Sequence, residues 1–227
     1  MPRSSRAAPR GALFWVGAVM VLAGLVLLGY VGWQFFGTNA VSRHKQHQLV
    51  EDTRRAWQQH GSPARGTTIR MHGSEAGAEA LIRIPRFGKD YVVPVQHGVG
   101  DEVLAEGFGH FPDSAAPGRV GNYALAAHRV THGEPLRHMP DLRPGDRVVV
   151  ESRTRTYVYR LDTDPEKLIV GFRDGWVLAP LPHNPHGGVQ PTQRRGQRLI
   201  TLTTCSELFH TDNRMIAFGH LVSTRRH

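Results

Sequence analysis

The chain has 227 residues, of which 40% are apolar, and its formal net charge is +9 at pH 7. This length allows one ordinary domain with appendages, and the single cysteine excludes an internal disulfide framework. The positive charge is typical of proteins beside an anionic neighbour such as nucleic acid, a membrane face or a wall polymer. Because no helix-turn-helix, zinc or stacked-aromatic motif is present, we expect no nucleic-acid partner.

The N-terminal part of the chain contains an uncharged segment at residues 11–42. Within it, residues 12–36 are long and apolar enough to cross a membrane as a helix, and they follow a basic tail at 1–11. A cleaved signal peptide is the alternative, but its apolar region is normally only about 7 to 15 residues long. Arginines before the segment and basic residues just after it favour a cytoplasmic N-terminus only weakly.

Residues 37–77 read as a stalk and linker between the membrane helix and the folded domain. Residues 39–60 contain no proline, and Val41, Leu49, Val50 and Trp57 are spaced loosely like one side of a helix, although a disordered stalk is the alternative. Residues 61–77 are rich in glycine, serine and arginine and indicate a linker. We therefore expect the folded domain to span residues 78–227.

That domain is predicted to be all-β, because short apolar runs alternate with Gly, Pro and Asp. A closed antiparallel architecture fits this pattern. The candidate strands are residues 81–84, 91–95, 103–106, 120–128, 147–152, 156–162, 198–205 and 215–222.

The only cysteine, Cys205, ends the apolar strand at 198–205. In a strand, alternate side chains share a face, so Cys205 lies with Thr201 and Thr203 on the more polar side. A packing cysteine usually behaves as a small buried hydrophobe, whereas a thiol in this position suits a nucleophile at a groove. A structural cysteine is the alternative unless partners lie nearby.

Two residues are candidate partners for this thiol, since a cysteine nucleophile needs a nearby base or cation. His128 ends the strand-like run from Gly121, and Arg214 opens the last apolar strand. If these strand ends lie side by side, the three residues converge on one site.

Three motifs resemble those of the sortase family of cysteine transpeptidases. They are TLTTC at 201–205, AHRVTHGEPL at 127–136 followed by DLRPGD at 141–146, and NRMIAFG at 213–219. The FGHFP segment at 108–112 is most similar to class E sortases of actinobacteria, with classes D and F as alternatives. The chain departs from the usual pattern at Ala127, where glycine is common, and at Leu136, where phenylalanine is common.

The resemblance implies an eight-stranded β-barrel with short helices, and catalytic roles for Cys205, His128 and Arg214. It also implies that the Pro/Gly-rich segment at 165–197 forms part of the substrate groove. Thr204, Ala127 and Leu136 near the motifs, and Trp176 and Leu178 in this segment, are therefore candidate substrate-binding residues. Two histidines of the same segment, His183 and His186, are a weak metal ligand set, and we expect no metal or cofactor.

By this resemblance, the enzyme cleaves an LPxTG- or LAxTG-like sorting signal between Thr and Gly and joins the surface protein to a lipid-linked peptidoglycan precursor amine. The membrane helix would hold the catalytic domain on the extracellular side. A pilin-polymerising enzyme is disfavoured, because no Asp-Pro-Trp or Asp-Pro-Phe lid precedes the barrel. The alternatives are a membrane-anchored cysteine peptidase and a surface binding protein with decayed catalysis.

Overall fold

The computed structural model describes residues 10–33, 38–59, 70–71, 74–75, 77–205 and 212–227. Two helices come first, α1 at Arg10–Gly32 and α2 at Thr38–Gln59. The segment Phe14–Gly32 of α1 has a mean hydropathy of 2.3, and by length and composition it could cross a membrane. The expected apolar N-terminal helix is thus present, while most of the predicted basic tail and of the linker at 61–77 lies outside the described residues.

The rest of the described chain is built mainly from strands. Two short strands, β1 at Arg70–Met71 and β2 at Ser74–Glu75, pair only with each other. The others are β3 (Ala80–Arg83), β4 (Val93–His97), β5 (Phe108–His110), β6 (Gly121–Ala126), β7 (Arg147–Glu151), β8 (Arg155–Leu161), β9 (Ile169–Gly171), β10 (Arg198–Cys205) and β11 (Asn213–Arg226).

Eight of these strands close into a barrel in the order β10-β6-β5-β4-β3-β7-β8-β11, and β11 pairs back to β10. The eight-stranded barrel expected from the resemblance is therefore confirmed. The expectation of an antiparallel barrel is wrong in part, because β10 pairs with β6 and β4 with β5 in parallel. This matters for the site, since parallel neighbours bring their carboxyl ends to the same edge.

Residues 103–106, predicted as a strand, are helical instead: α3 spans Asp101–Glu106. Short apolar runs do not distinguish strand from helix by periodicity. Gly100 precedes the helix, and Asp101 and Glu102 lie in its first turn, where acidic side chains favour the helix dipole. The strand β5 follows directly and was not predicted. A Cβ on its central Gly109 would lie 2.4 Å from the carbonyl oxygen of Gly98, so only glycine fits there.

The barrel interior holds the main hydrophobic core, and a second core lies outside β11. Met215 and Ala217 face the interior, whereas Ile216 and Phe218 pack against Leu168, Val170 and Val177 of the segment before β10. Both faces of β11 are therefore buried at this point, which explains its continuous apolar run. The Pro/Gly-rich segment at 165–197 therefore packs against the outer face of β11.

The helix α2 occupies the position predicted for a helical stalk, but it packs on the barrel. Leu49, Val50 and Trp57 contact Ala78, Leu81 and Val92 in a third, smaller cluster. In addition, the backbone amide of Ala78 donates a hydrogen bond to the buried Oγ1 of Thr53 at 3.3 Å. α2 is thus part of the folded unit.

Candidate active site

The ends of three adjacent strands bring the predicted site residues together. In the antiparallel pairing of β10 with β11, Cys205 lies directly opposite Arg214. In the parallel pairing of β10 with β6, Thr203 lies opposite Ala126. Cys205 lies two residues beyond Thr203 in β10, and His128 lies two residues beyond Ala126 of β6. Because β10 pairs with β6 on one side and β11 on the other, Cys205 lies between His128 and Arg214.

Hydrogen bonds continue the β10–β6 pairing past the end of β6. The amide of Ala127 donates to the carbonyl oxygen of Thr203 at 3.2 Å, and the hydroxyl of Thr204 donates to the carbonyl oxygen of Ala127 at 2.7 Å. The Nη1 of Arg129 donates to the carbonyl oxygen of Cys205 at 3.5 Å. These bonds hold the backbone on both sides of His128 against the strand that ends on the thiol.

Most of the polar face of β10 is buried. Thr201 and Thr203 are buried, and the Thr201 hydroxyl donates to Oδ1 of Asn122 at 2.7 Å. The segment at 165–197 covers this face through the carbonyl of Val177, which lies 3.4 Å from the same hydroxyl. Residues 199–204 of β10 are all buried, and the strand becomes partly exposed again at its last residue, Cys205. The fold therefore makes the thiol accessible at the strand end while it buries the preceding threonines.

His128 is partly exposed, and its ring stacks on that of His132, with 4.7 Å between the ring centroids and 29° between the ring planes. The Nδ1 of His132 lies 3.0 Å from Oγ1 of Thr131. The carbonyl oxygen of His128 accepts a hydrogen bond from the amide of Leu136 at 3.0 Å. The histidine is thus held by the loop that follows it, and sequence reasoning did not identify His132 as its ring partner.

An aromatic side chain just after β9 contacts Arg214. Its guanidinium carbon lies 4.9 Å from the ring centroid of Phe172, within the range of cation–π attraction. Arg214 pairs with Val170 across β9 and β11, and its Nη1 donates to the carbonyl oxygen of Asn213 at 3.0 Å. Sequence reasoning missed Phe172. The only available signal was an aromatic in a segment assigned to the groove, with no indication that it lies on Arg214.

The five candidate substrate-binding residues divide by burial. Thr204, Ala127 and Leu136 are all buried, and the Thr204 hydroxyl is engaged by the backbone of Ala127. Trp176 and Leu178 are partly exposed and pack against the outer core. Contact of these five residues with a substrate stays a prediction.

Comparison with known proteins agrees with this geometry. A sortase domain model matches residues 82–222, the region that holds the barrel and all three strand ends. The chain belongs to the sortase family. Members of this family are cysteine transpeptidases, and Cys205, the only cysteine of the chain, ends a barrel strand inside the matched region.

Several class E sortases are similar to this sortase. Sortase SrtE1 of Streptomyces coelicolor is 32% identical over 222 residues, which are 92% of this chain, but the match spans only 57% of the relative's length. The structure of sortase E from Streptomyces avermitilis is 38% identical with a TM-score of 0.57, covering 66% of this chain and 90% of the other. A Streptomyces coelicolor sortase E1 structure with a tripeptide in the active site is 33% identical with a TM-score of 0.57 over the same shares. The resemblance to class E is thus confirmed.

Proposed function

We propose that this sortase is a membrane-anchored transpeptidase in which Cys205 is the nucleophile, His128 the proton carrier and Arg214 the electrostatic stabiliser. The observation that carries the proposal is the strand register, which sets Cys205 opposite Arg214 and between the strands of the other two residues. Nucleophilic catalysis by cysteine requires a proton carrier within reach and a stabilised oxyanion. The three strand ends bring these chemical types to one edge of the barrel.

In the first step, the Cys205 thiol gives its proton to His128, and the thiolate attacks the carbonyl carbon of the threonine in the sorting signal. The carbonyl electrons move onto oxygen and form a tetrahedral oxyanion. When they return, the carbon–nitrogen bond to glycine breaks, and His128 protonates the departing amine. The product is a thioester on Cys205, and positioned proton transfer of this kind contributes about 10²- to 10⁴-fold.

In the second step, an amine attacks the thioester carbonyl and gives a proton to His128. The carbon–sulfur bond then breaks, the proton returns to the sulfur and the new amide leaves. Dividing the exchange into two acyl transfers replaces one difficult step by two easier ones. Water in place of the amine would make the same site a peptidase, and this is an outcome that the experiment below separates.

Arg214 would donate hydrogen bonds to the oxyanion or to substrate carbonyls, where a preorganised charge has its largest effect. Its position over the Phe172 ring supports this role, because a guanidinium held by a cation–π contact loses less freedom when it binds substrate. The carbonyl of Cys205 is engaged by Arg129. A second guanidinium thus lies on the histidine side of the thiol.

The substrates proposed are surface proteins with an LPxTG- or LAxTG-like signal, and the acceptor is an amine on a lipid-linked peptidoglycan precursor. The apolar helix α1 supports membrane anchoring. The catalytic domain would then lie outside the cell, as the sortase resemblance implies. A shared membrane surface raises the effective concentration of both substrates without any new contact.

The test uses the full-length protein in detergent micelles with a panel of LPxTG and LAxTG peptides and amine acceptors, followed by mass spectrometry. A product joined to the amine, formed by wild type and lost in Cys205→Ala and His128→Ala, is the expected result. Hydrolysis alone, in the presence of every amine, would replace the transpeptidase assignment by a peptidase. Equal behaviour of wild type and Cys205→Ala would overturn the enzymatic assignment and favour a binding protein.

A further inference from the structure

The loop after the candidate catalytic histidine has an unusual backbone. Three consecutive residues lie in the left-handed region: His132 and Glu134 at φ 54° and Gly133 at φ 79°. Glycine adopts this conformation readily, whereas side-chain-bearing residues do so only where surrounding contacts maintain it. The loop therefore needs an external partner to keep its shape.

The helix α2 supplies that partner. The Oδ1 of Asn39 accepts a hydrogen bond from the amide of Gly133 at 2.9 Å, and its Nδ2 donates to Oε1 of Glu134 at 2.8 Å and to the carbonyl oxygen of Val130 at 3.4 Å. Two turns further along, Nε2 of Gln46 donates to the carbonyl oxygen of His132 at 3.1 Å. The backbone groups of the strained loop are thus bonded to two side chains of one helix.

The fit between helix and loop is close. A Cβ on Gly133 would lie 2.6 Å from Nε2 of Gln46, so the Gln46 side chain packs directly against the glycine. Arg43 adds an ion pair to Glu134 at 3.3 Å. That carboxylate is nearly buried and also pairs with Arg137 at 2.7 Å, which holds the loop from its other side.

The face of α2 that contacts the barrel buries both polar and apolar side chains. The half nearer to α1 buries Ser42 and Gln46, whereas the far half buries Val50 and Thr53. A buried polar group is costly unless it is hydrogen-bonded. In the near half, Gln46 is bonded to the loop after His128. The far half is attached to the barrel by Val50 and by the hydrogen bond between Thr53 and the Ala78 amide.

We propose that α2 is a positioning element for His128, acting through the loop at 130–134. Asn39 and Gln46 hold this loop, the loop presents the His132 ring, and that ring stacks on His128. Because α2 begins at Thr38, shortly after the apolar helix ends at Gly32, the geometry of the histidine is tied to the part of the chain nearest the predicted membrane. This inference rests on the proposed role of His128.

The test compares Gln46→Met with Gln48→Met, each in the full-length protein in detergent. Both replace a glutamine of α2 by an apolar side chain of similar length. Gln48, however, is exposed, and its side chain lies 2.9 Å from His44 of the same helix. A lost hydrogen bond to a strained loop is expected to lower kcat about three- to tenfold with KM unchanged. Gln48→Met should match wild type, and Asn39→Ala should resemble Gln46→Met.

A double-variant comparison identifies the route. If the helix acts through His132, then Gln46→Met should have much less effect on kcat in a His132→Ala background than in wild type. Unchanged kcat in both Gln46→Met and Asn39→Ala, or a loss confined to melting temperature, would overturn the proposal. Activity that survives His128→Ala would instead overturn the proposed function, whatever the α2 variants do.

A second, independent inference concerns three side chains where β3 begins and β4 and β5 end. The Nδ1 of His110 lies 3.0 Å from Oε1 of Glu79, and Nδ1 of His97 lies 3.9 Å from Oε2 of the same carboxylate. All three donor atoms lie within 4.8 Å of one another. Around a tetrahedral zinc ion, neighbouring nitrogen and oxygen ligands are about 3.3 Å apart, so the donors are close to a zinc-binding arrangement.

The surroundings of these donors also suit a metal. The hydroxyl of Tyr123 donates to Oε1 of Glu79 at 3.1 Å, which orients the carboxylate as outer groups do in metal sites. His110 is nearly buried, whereas His97 is 66% exposed, so an ion could reach the donors from solvent. We infer that Glu79, His97 and His110 form a site for a divalent ion of the zinc class, a possibility that His183 and His186 alone did not suggest.

The probe is Zn²⁺ alone, added to the full-length protein in a Cys205→Ala background so that the thiol cannot bind it. Saturable binding of one ion with a rise in melting temperature is expected, and His97→Ala should abolish both. His138→Ala is the matched control, because this exposed histidine pairs with Asp141 elsewhere. Absence of saturable binding, or equal binding in His97→Ala, would reduce the cluster to a histidine–carboxylate ion pair and overturn the inference.

Discussion

Phe172 offers a direct test of how the structure positions Arg214. The ring is 69% exposed, so its replacement leaves the core intact, yet it lies 4.9 Å from the guanidinium carbon. Phe172→Leu keeps an apolar side chain of similar size and removes the aromatic face. An exposed cation–π contact is worth about 0.5–1 kcal/mol, and each 1.36 kcal/mol changes a rate about tenfold. We therefore expect kcat/KM to fall about two- to fivefold.

The assay is steady-state cleavage of the best peptide from the panel above, with melting temperature measured in parallel. Arg173→Ala serves as a neighbouring control, since this exposed side chain follows Phe172 directly and should leave kcat/KM unchanged. Phe172→Trp should retain or slightly raise kcat/KM, because tryptophan is the strongest cation–π partner. Equal kcat/KM in wild type and Phe172→Leu would refute the reasoning, as would an equal loss in Arg173→Ala.

Three further predictions concern stability, each read from chemical denaturation or thermal melting. Leu136→Ala, at a fully buried position, should lower the free energy of unfolding by about 2–5 kcal/mol, whereas Leu136→Met should cost less than about 1.5 kcal/mol. Gly109→Ala should prevent a stable fold or lower the melting temperature strongly, because its Cβ would lie 2.4 Å from the Gly98 carbonyl oxygen. Burial alone would raise the pKa of Asp146, but hydrogen bonding and charge from Arg86 outweigh it and lower that pKa below 3.8. A carboxyl group whose pKa is lower in the folded than in the unfolded state stabilises the fold at any pH above the unfolded-state pKa. Asp146→Asn should therefore melt at a lower temperature than wild type at pH 7. This difference in melting temperature should disappear as the pH falls below about 4.

Local patterns were sufficient for much of the barrel. Predicted strands at 147–152 and 198–205 agree with β7 and β10 almost residue for residue, because apolar runs bounded by turn residues are a local property. The same rule was wrong at 103–106, where a glycine and two acidic residues begin a helix. It also passed over β5 and β9, which have three residues each and owe their existence to their neighbours.

The sequence by itself was sufficient to predict the three proposed catalytic residues. Cys205, His128 and Arg214 each stand at the end of an apolar run or at the start of one, and this position is visible without any contact. The apolar helix α1 is equally local, since length and composition alone define it.

Only the tertiary structure decided how these residues are held. The parallel pairing of β10 with β6 joins segments about 80 residues apart. The contact of Phe172 with Arg214 depends on the pairing of β9 with β11. The contact of α2 with the loop after His128 includes a hydrogen bond between Asn39 and Gly133, which are far apart in the sequence. Such contacts depend on strand register and on packing between distant segments. The hydrophobic periodicity of one segment does not specify which distant segment it pairs with.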